Sequence, residues 1–369
     1  MLPAKFAHKY ARQIILPQIG IEGQKKLASS KVLIIGCGAD GTACLNLLAR
    51  AGVGNITVID RDVVEEVNLQ RQSIYLEKDI GKPKAEVARR FALAANSSIK
   101  VKAIVDLFSA SNALELVAGH DIVMDCTDNF RTRLLINDAC VKTAKPWVYS
   151  GVLATYGMTA SFLPRSPCFR CLFPGIDEKT EDRVCATEGI LNTVPYIIIG
   201  MAVSSALRIL VSNIPSPIND SDRDITGDNT KLIIYDAWYE TFNIIQYARK
   251  TDCQCCVRKE FVFLEAEDVC KDSPDDLCII PLCSGEYIVK LKKLNKDGFL
   301  KIRKNLIQAN RLRNAGEKSP DVKSSTGVII FREGELELRL FRSGNIVVKG
   351  AKNKEDVQAL LEKYILVWR

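Results

Sequence analysis

The chain has 369 residues, 47% of them apolar and 26% charged, with a formal net charge of +7. This composition excludes a disordered, collagen-like or coiled-coil chain, and so mild a charge implies no general affinity for nucleic acid or anionic membrane. His8 and His120 are the only histidines, which excludes a His-rich metal centre, whereas 13 cysteines are far more than packing needs.

The first residues, up to Gly20, carry neither an apolar signal core nor a cleavage-like site. The expectation is therefore a cytoplasmic chain whose thiols bind metal or react. Lys31 to Ile35 predicts a strand that breaks into a glycine-rich turn, Gly36 to Gly41, and a helix from Thr42 to Ala51. A second strand from Asn55 to Asp60 completes a strand, helix, strand unit. A helix from Pro83 to Ala95 follows, then strands near Lys100 to Ile104, His120 to Met124 and Lys145 to Tyr149, alternating with helices near Ser109 to Ala118 and Phe130 to Thr143. Strict alternation predicts an α/β fold, a doubly wound Rossmann-like sheet with a glycine-rich nucleotide loop.

Past Gly151 the pattern becomes a strand from Thr155 to Leu163, a Cys- and charge-rich stretch to Glu188, and an uncharged run from Gly189 to Leu207. That run has the length of a membrane span, but Asn192, Thr193, Pro195, Gly200, Ser204 and Ser205 favour a buried core or interface helix. After a loop from Ser212 to Thr230, strands from Lys231 to Asp236 and Thr241 to Gln246 lead to a boundary after residue 257. Residues 258–369 predict a smaller α+β domain of unassigned role. Its strands lie near Leu277 to Leu282, Glu286 to Leu291 and Asn345 to Lys349, with a hairpin at Gly334 and helices near Gly298 to Ala309 and Lys354 to Tyr364. Leu338 to Tyr364 resembles the strand, strand, helix end of a TATA-binding-protein half, in shape rather than as a sign of DNA binding. The basic residues from Lys290 to Arg313 read as a solvated helix face, or else as a surface recruiting an acidic partner.

Gly36, Gly38 and Gly41, directly after a strand and opening a helix, form the pattern that lets backbone N–H groups approach a phosphate. Asp60, at the end of the next strand, is placed to take the hydroxyls of a ribose. A simple oxidoreductase needs no more, yet Asn68 to Gln72, Lys84 and Asp125 to Asn129 add donors and charges at further strand ends. Arg71 and Lys84 can neutralise a triphosphate, and Asp128 offers oxygen to Mg2+. Asp40 inside the turn reads as an N-cap, as a charge that repels phosphate or as a further metal contact. Cys168 and Cys171, with Cys253 and Cys256, are two pairs at the spacing that bites one tetrahedral Zn2+, although Cys255 leaves the second pair ambiguous. Cys185 lies in a polar, loop-like stretch and reads as a reactive thiol, with Cys126 as the weaker alternative. Cys37, Cys44 and Cys140 lie on core elements and read as packing residues.

Tyr10 to Gln13, Gly36 and Gly38, Asp60 to Asp62, Asn68 to Gln72, Gly81 to Lys84, Asp125 to Asn129 and Cys168 to Pro174 occur in the order seen in the ThiF/MoeB/HesA family. The chain resembles that family, a relative of the ubiquitin-activating enzymes, over about two thirds of its length. The resemblance implies adenylation by ATP of the C-terminal glycine of a ubiquitin-like modifier or sulfur-carrier protein, a β-grasp partner ending in Gly-Gly. It implies that Asp60 holds the ribose, that Asn68, Arg71 and Lys84 bind phosphates, and that Asp128 binds Mg2+. It further implies that Arg12 reaches into the site of a second copy, which makes the chain a homodimer, and that Cys185 accepts the activated carrier as a thioester or through persulfide chemistry. The rival readings are an NAD-dependent oxidoreductase and a nucleotide-binding scaffold without turnover. Neither membrane nor nucleic acid is expected as a partner.

Overall fold

The computed structural model describes residues 4–176, 188–212, 230–265, 277–281, 286–291, 296–312, 321–324 and 327–366. Three N-terminal helices, α1 (Ala4–Lys9), α2 (Ala11–Ile14) and α3 (Gly20–Ser29), precede the first strand. The alternating core then runs β1 (Lys31–Ile35), α4 (Ala39–Ala51), β2 (Asn55–Asp60), α5 (Lys84–Ala95), β3 (Lys100–Val105), α6 (Ala110–Ala118), β4 (Ile122–Asp125), α7 (Phe130–Thr143) and β5 (Trp147–Leu153). It continues with β6 (Tyr156–Phe162), α8 (Phe169–Leu172), α9 (Val194–Val211), β7 (Lys231–Asp236), β8 (Thr241–Gln246) and α10 (Val262–Glu265).

The eight strands form one sheet in the order β3-β2-β1-β4-β5-β6-β7-β8. β1 pairs in parallel with β2 on one side and β4 on the other, and β4 pairs in parallel with β5. From β5 to β8 the pairing is antiparallel, with short turns joining β5 to β6 and β7 to β8 and a long helical connection between β6 and β7. The strand order reverses beside β1, so the crevice of a doubly wound sheet opens at the carboxyl ends of β1 and β4. Alternate residues of β1 serve different faces: Leu33 and Ile35 join Val117, Leu134 and Ile136 of α6 and α7 in one core, while Val32 and Ile34 are equally buried at 0% exposure.

The apolar run forms α9, later than its sequence boundaries because Thr193 caps the helix and Pro195 sits in its first turn. With a mean hydropathy of 1.9 over 18 residues, α9 is long and apolar enough to cross a membrane. It packs instead on α3, α4, β5 and β6, burying Val194, Ile198, Ile199, Ala202, Val203 and Ala206.

The chain divides into two compact units, one built mainly on residues 1–266 and the other on 267–369. The first unit runs past the expected boundary at 257 because Phe263 of α10 is buried in the core under α6 and α7. The second contains β9 (Leu277–Pro281), β10 (Tyr287–Leu291), α11 (Lys296–Leu312), β11 (Asp321–Ser324), β12 (Val328–Glu333), β13 (Leu336–Phe341), β14 (Asn345–Lys349) and α12 (Lys354–Tyr364). Its sheet, ordered β11-β12-β13-β14-β10-β9, is antiparallel throughout. Phe299 and Ile302 of α11 and Val357, Leu360 and Leu361 of α12 pack on one face of it, against Ile329, Leu338, Leu340 and Ile346. The strand, strand, helix shape expected near the C-terminus is β13, β14 and α12. In the basic stretch, Lys301 and Lys304 are exposed on α11 and Arg303 donates to Ser324 Oγ at 3.2 Å.

Replacing Ile198 with Ala should lower the unfolding free energy by about 2–5 kcal/mol, since the side chain is wholly buried in the α9 interface. Urea unfolding measures it.

Candidate nucleotide site and four-cysteine centre

The turn after β1 is set by backbone contact. Gly36 has φ +87°, and a Cβ there would lie 2.5 Å from the Cys126 carbonyl oxygen. A Cβ on Gly41 would lie 2.1 Å from the Gly36 carbonyl oxygen. Both positions are closed to any side chain. Gly38, the cap residue of α4, differs: the nearest atom to its Cβ position is Gln72 Nε2 at 3.7 Å. The protein itself leaves room there, which is what close approach of a ligand to the backbone requires.

Asp60 ends β2 facing this turn. Its Oδ2 accepts from Cys37 N and its Oδ1 from Asp62 N, each at 2.6 Å. Burial raises its pKa, opposed by the positive charge of Lys84. Lys84 opens α5 and is only 6% exposed, so it is not a solvated surface charge. Its Nζ lies 3.7 Å from Asp62 Oδ2. Burial alone would lower its pKa, but the carboxylates of Asp62, Asp60, Glu65 and Asp128 outweigh that and hold the ammonium protonated. Tyr75 braces the turn, its hydroxyl donating to the carbonyl of Cys37 at 2.8 Å. Asn68 is buried, and its Oδ1 accepts from Glu65 N at 3.3 Å within a one-turn capping box. Arg71 donates to the Val67 carbonyl at 2.9 Å. Gln72, read in the sequence only as part of the Asn68–Gln72 donor cluster, is buried beside Gly38 with Oε1 unpartnered.

At the end of β4, Asp125 is fully buried, and its Oδ1 accepts from Thr127 N at 3.0 Å and Thr127 Oγ1 at 2.7 Å. Burial lifts its pKa to about 6, against the pull of Arg133. Asp128 is exposed just beyond, bonded only weakly to Asn129 Nδ2 at 3.4 Å, and keeps oxygen free for a cation. Asn129 caps α7 by accepting from Thr132 N at 2.9 Å. Arg133, one turn along, is buried; it donates to the Thr127 carbonyl at 2.7 Å and stands 3.7 Å from Asp125 Oδ2, over the rings of Phe130 and Tyr149. Sequence reading missed it, because a single arginine early in a helix looks like any surface charge.

Asp40 is not a cap. Gly38 occupies that position, no side chain bonds the free N–H groups there, and Asp40 is 5% exposed with Oδ1 unpartnered. Burial lifts its pKa to about 7, despite Ser150 and Arg133 drawing it down.

Arg12 lies exposed on α2 and makes no hydrogen bond or ion pair among the described residues. Cys185 lies outside the described residues. Cys126 is buried, and its thiol is raised well above the ordinary value by a hydrogen bond with Cys44 and by burial, which makes it a poor nucleophile. Cys37, Cys44 and Cys140 are buried, as packing residues should be.

Cys168 and Cys171 flank the start of α8, and Cys253 and Cys256 lie in the turn after β8. Their four sulfur atoms lie within 4.8 Å of one another, with Cys168 to Cys253 and Cys171 to Cys256 each 3.6 Å apart. Four thiolates around a tetrahedral Zn2+ stand roughly 3.8 Å apart, given a Zn–S length of about 2.3 Å. Cys255, the ambiguous thiol, is wholly buried and accepts from Asn137 Nδ2 at 3.2 Å, outside the set of four.

Residues 10–257 match the model of the ThiF family. The chain belongs to that family. It is 36% identical over 255 residues to the SAMP-activating enzyme E1 of Haloferax volcanii, covering 69% of this chain and 90% of the relative. It is 32% identical over 362 residues to the sulfur carrier protein ThiS adenylyltransferase of Bacillus subtilis, covering 97% of this chain and 99% of the relative. The second likeness takes in the C-terminal unit as well. Among solved structures, E. coli MccB with MccA-N7isoASN superposes with a TM-score of 0.57 at 21% identity, over 69% of this chain and 76% of that one, which is a likeness of fold. The named relatives are adenylyltransferases and activating enzymes, and the fold is the α/β arrangement expected.

Gly41→Ala and Gly38→Ala should separate folding from binding. The first should destabilise the protein by about 2 kcal/mol or more through backbone overlap. The second should change the melting temperature little while weakening ATP binding. Calorimetric unfolding and ATP titration on both variants check this.

Proposed function

We propose that this chain activates a small β-grasp protein, a ubiquitin-like modifier or sulfur carrier ending in Gly-Gly, by adenylating its terminal carboxylate. The observation that carries this reading is Lys84, a buried and protonated lysine beside the ribose-type carboxylate Asp60 at the mouth of the glycine turn. Hydride transfer does not depend on such a cation, whereas an attack of one anion on another does. Family membership and the adenylyltransferase relatives support it.

In this reading Gly36, Gly38 and Gly41 cradle ATP and Asp60 takes the ribose hydroxyls, with Asn68 as a further ligand. The carrier carboxylate attacks the α-phosphorus in line; a P–O bond forms, the bond to the β-phosphate breaks, and pyrophosphate leaves. Lys84 and Arg71 offset the charge gathering on the phosphates, and Arg12 of a second copy supplies more, so the working unit is a homodimer. Asp128 would hold Mg2+, which supplies further neutralisation of phosphate charge. Cys185 then attacks the acyl carbon as thiolate, forming a thioester and expelling AMP. Cys168, Cys171, Cys253 and Cys256 would hold a structural Zn2+, to which the thiolate set is suited. Chemistry that depends on reduced thiols suits a cytoplasmic chain.

Isotope exchange between pyrophosphate and ATP, with Gly-Gly carriers offered one at a time, is the test. Carrier-dependent exchange is expected, falling by about 100-fold or more in Lys84→Ala and surviving in Cys185→Ala. Exchange with no carrier, or exchange indifferent to Lys84, would refute the reading. Separately, the purified protein should hold close to one zinc per chain, and chelation should lower its melting temperature, as elemental analysis and thermal scans will report.

A further inference from the structure

Asp40 is a charged group of this crevice that the chemistry above leaves without a task. It stands in the first turn of α4, whose amino end and glycine turn face the phosphates in that reading, and it is 5% exposed with Oδ1 unpartnered. The groups that face it are Asp125 at the end of β4, Cys126 and Asp128 in the loop beyond, Arg133 on α7, and Tyr149 and Ser150 on β5. Asp40, Asp125 and Asp128 thus share one guanidinium, and that guanidinium is already committed to the Thr127 carbonyl and to Asp125. No hydrogen bond joins Asp40 to Asp128 among the described residues. An ionised Asp40 is therefore shut from solvent, and Ser150 and a shared Arg133 offset only part of that burial. Nor can one helix end favour both this carboxylate and a triphosphate, since each added anion raises the cost of the other.

We propose that ATP binding to this chain is coupled to uptake of a proton at Asp40, so that the site accepts the nucleotide only with that carboxyl neutral. The proton comes from solvent and ends on a carboxylate oxygen of Asp40; no bond of the nucleotide changes. The sign follows from the environment of the side chain. Burial sets its pKa at about 7 before ATP binds, and the phosphate charge raises it further. Below that value the carboxyl is already neutral and affinity is independent of this group. Above it, each bound ATP draws in a proton, and affinity falls by at most about tenfold per pH unit. Asp40 acts here as a positioning residue for binding, and the inference rests on the nucleotide reading above.

The test is calorimetric titration of the full chain with ATP between pH 6 and 9, in pairs of buffers that differ in ionisation enthalpy. Wild type is compared with Asp40→Asn and with Asp40→Leu, so that the ionisation of ATP itself cancels in the difference. The dissociation constant of wild type should rise about tenfold more than that of either variant between pH 7 and 8.5. Wild type should also take up close to one more proton per ATP at pH 8. Two variants of opposite polarity keep the comparison available should one of them fold poorly. Equal proton uptake in wild type and variant, with both binding ATP, would overturn the proposal and leave adenylation standing. Failure of wild type to bind ATP at any pH would overturn both.

Discussion

Everything in the candidate site depends on one backbone contact, the seating of the glycine turn against the end of β4. Gly36 approaches the Cys126 carbonyl, and Gly41 approaches Gly36, so closely that neither position has room for a single carbon. This contact welds the loop after β1 to the loop after β4, the two strands between which the crevice of a doubly wound sheet opens. Asp60 then ties β2 to the same turn through Cys37 N, and Tyr75 ties in the segment before α5. The donors and charges are thereby fixed on rigid strand ends, which is the preorganisation that electrostatic catalysis requires.

Helix α7 extends this rigidity beyond the crevice. Its amino end carries the Asn129 cap and Arg133, which hold the Thr127 and Asp125 loop. Two turns on, Asn137 donates to Cys255 Sγ and accepts from Phe169 N, while Asp138 accepts from Phe263 N. Asp138 also lies 3.8 Å from Arg170, so four buried polar contacts lock the middle of the helix to the cysteine-rich turns. One helix thus contacts both the strand-end loop of the crevice and the cysteine-rich turns.

The parts of this arrangement that were legible in the sequence are those with strong periodicity or punctuation. Phe130–Thr143, Asn345–Lys349 and Lys354–Tyr364 have the expected bounds, since apolar spacing and flanking polar residues agree there. Helices α1 and α2, of six and four residues, and strand β11, of four, are too short to show a period. Gly36, Gly38, Gly41, Asp60, Lys84 and the two cysteine pairs stood out as candidates by spacing or by their place at a strand or helix end, and the fold draws the four cysteines together. For Asp40 the cap alternative fails, because cap statistics know the residue type and not its burial. Arg133 was invisible, and Gln72 was no more than one of a run of donors, because their meaning comes from what the fold sets beside them. Cys255 was ambiguous by spacing and is resolved only by its bond to Asn137.

The four clustered thiols also have a topological consequence. Cys168 and Cys253 stand 85 residues apart in the chain, as do Cys171 and Cys256, and the span they enclose contains α9, β7 and β8. Where these thiols are bridged by one ion, they clasp a long loop, and loop-closure entropy rises only logarithmically with length. Within that span α9 is held to the rest of the unit by its buried face, and β7 and β8 by the ladder to β6, so each described piece has an anchorage of its own besides its chain neighbours.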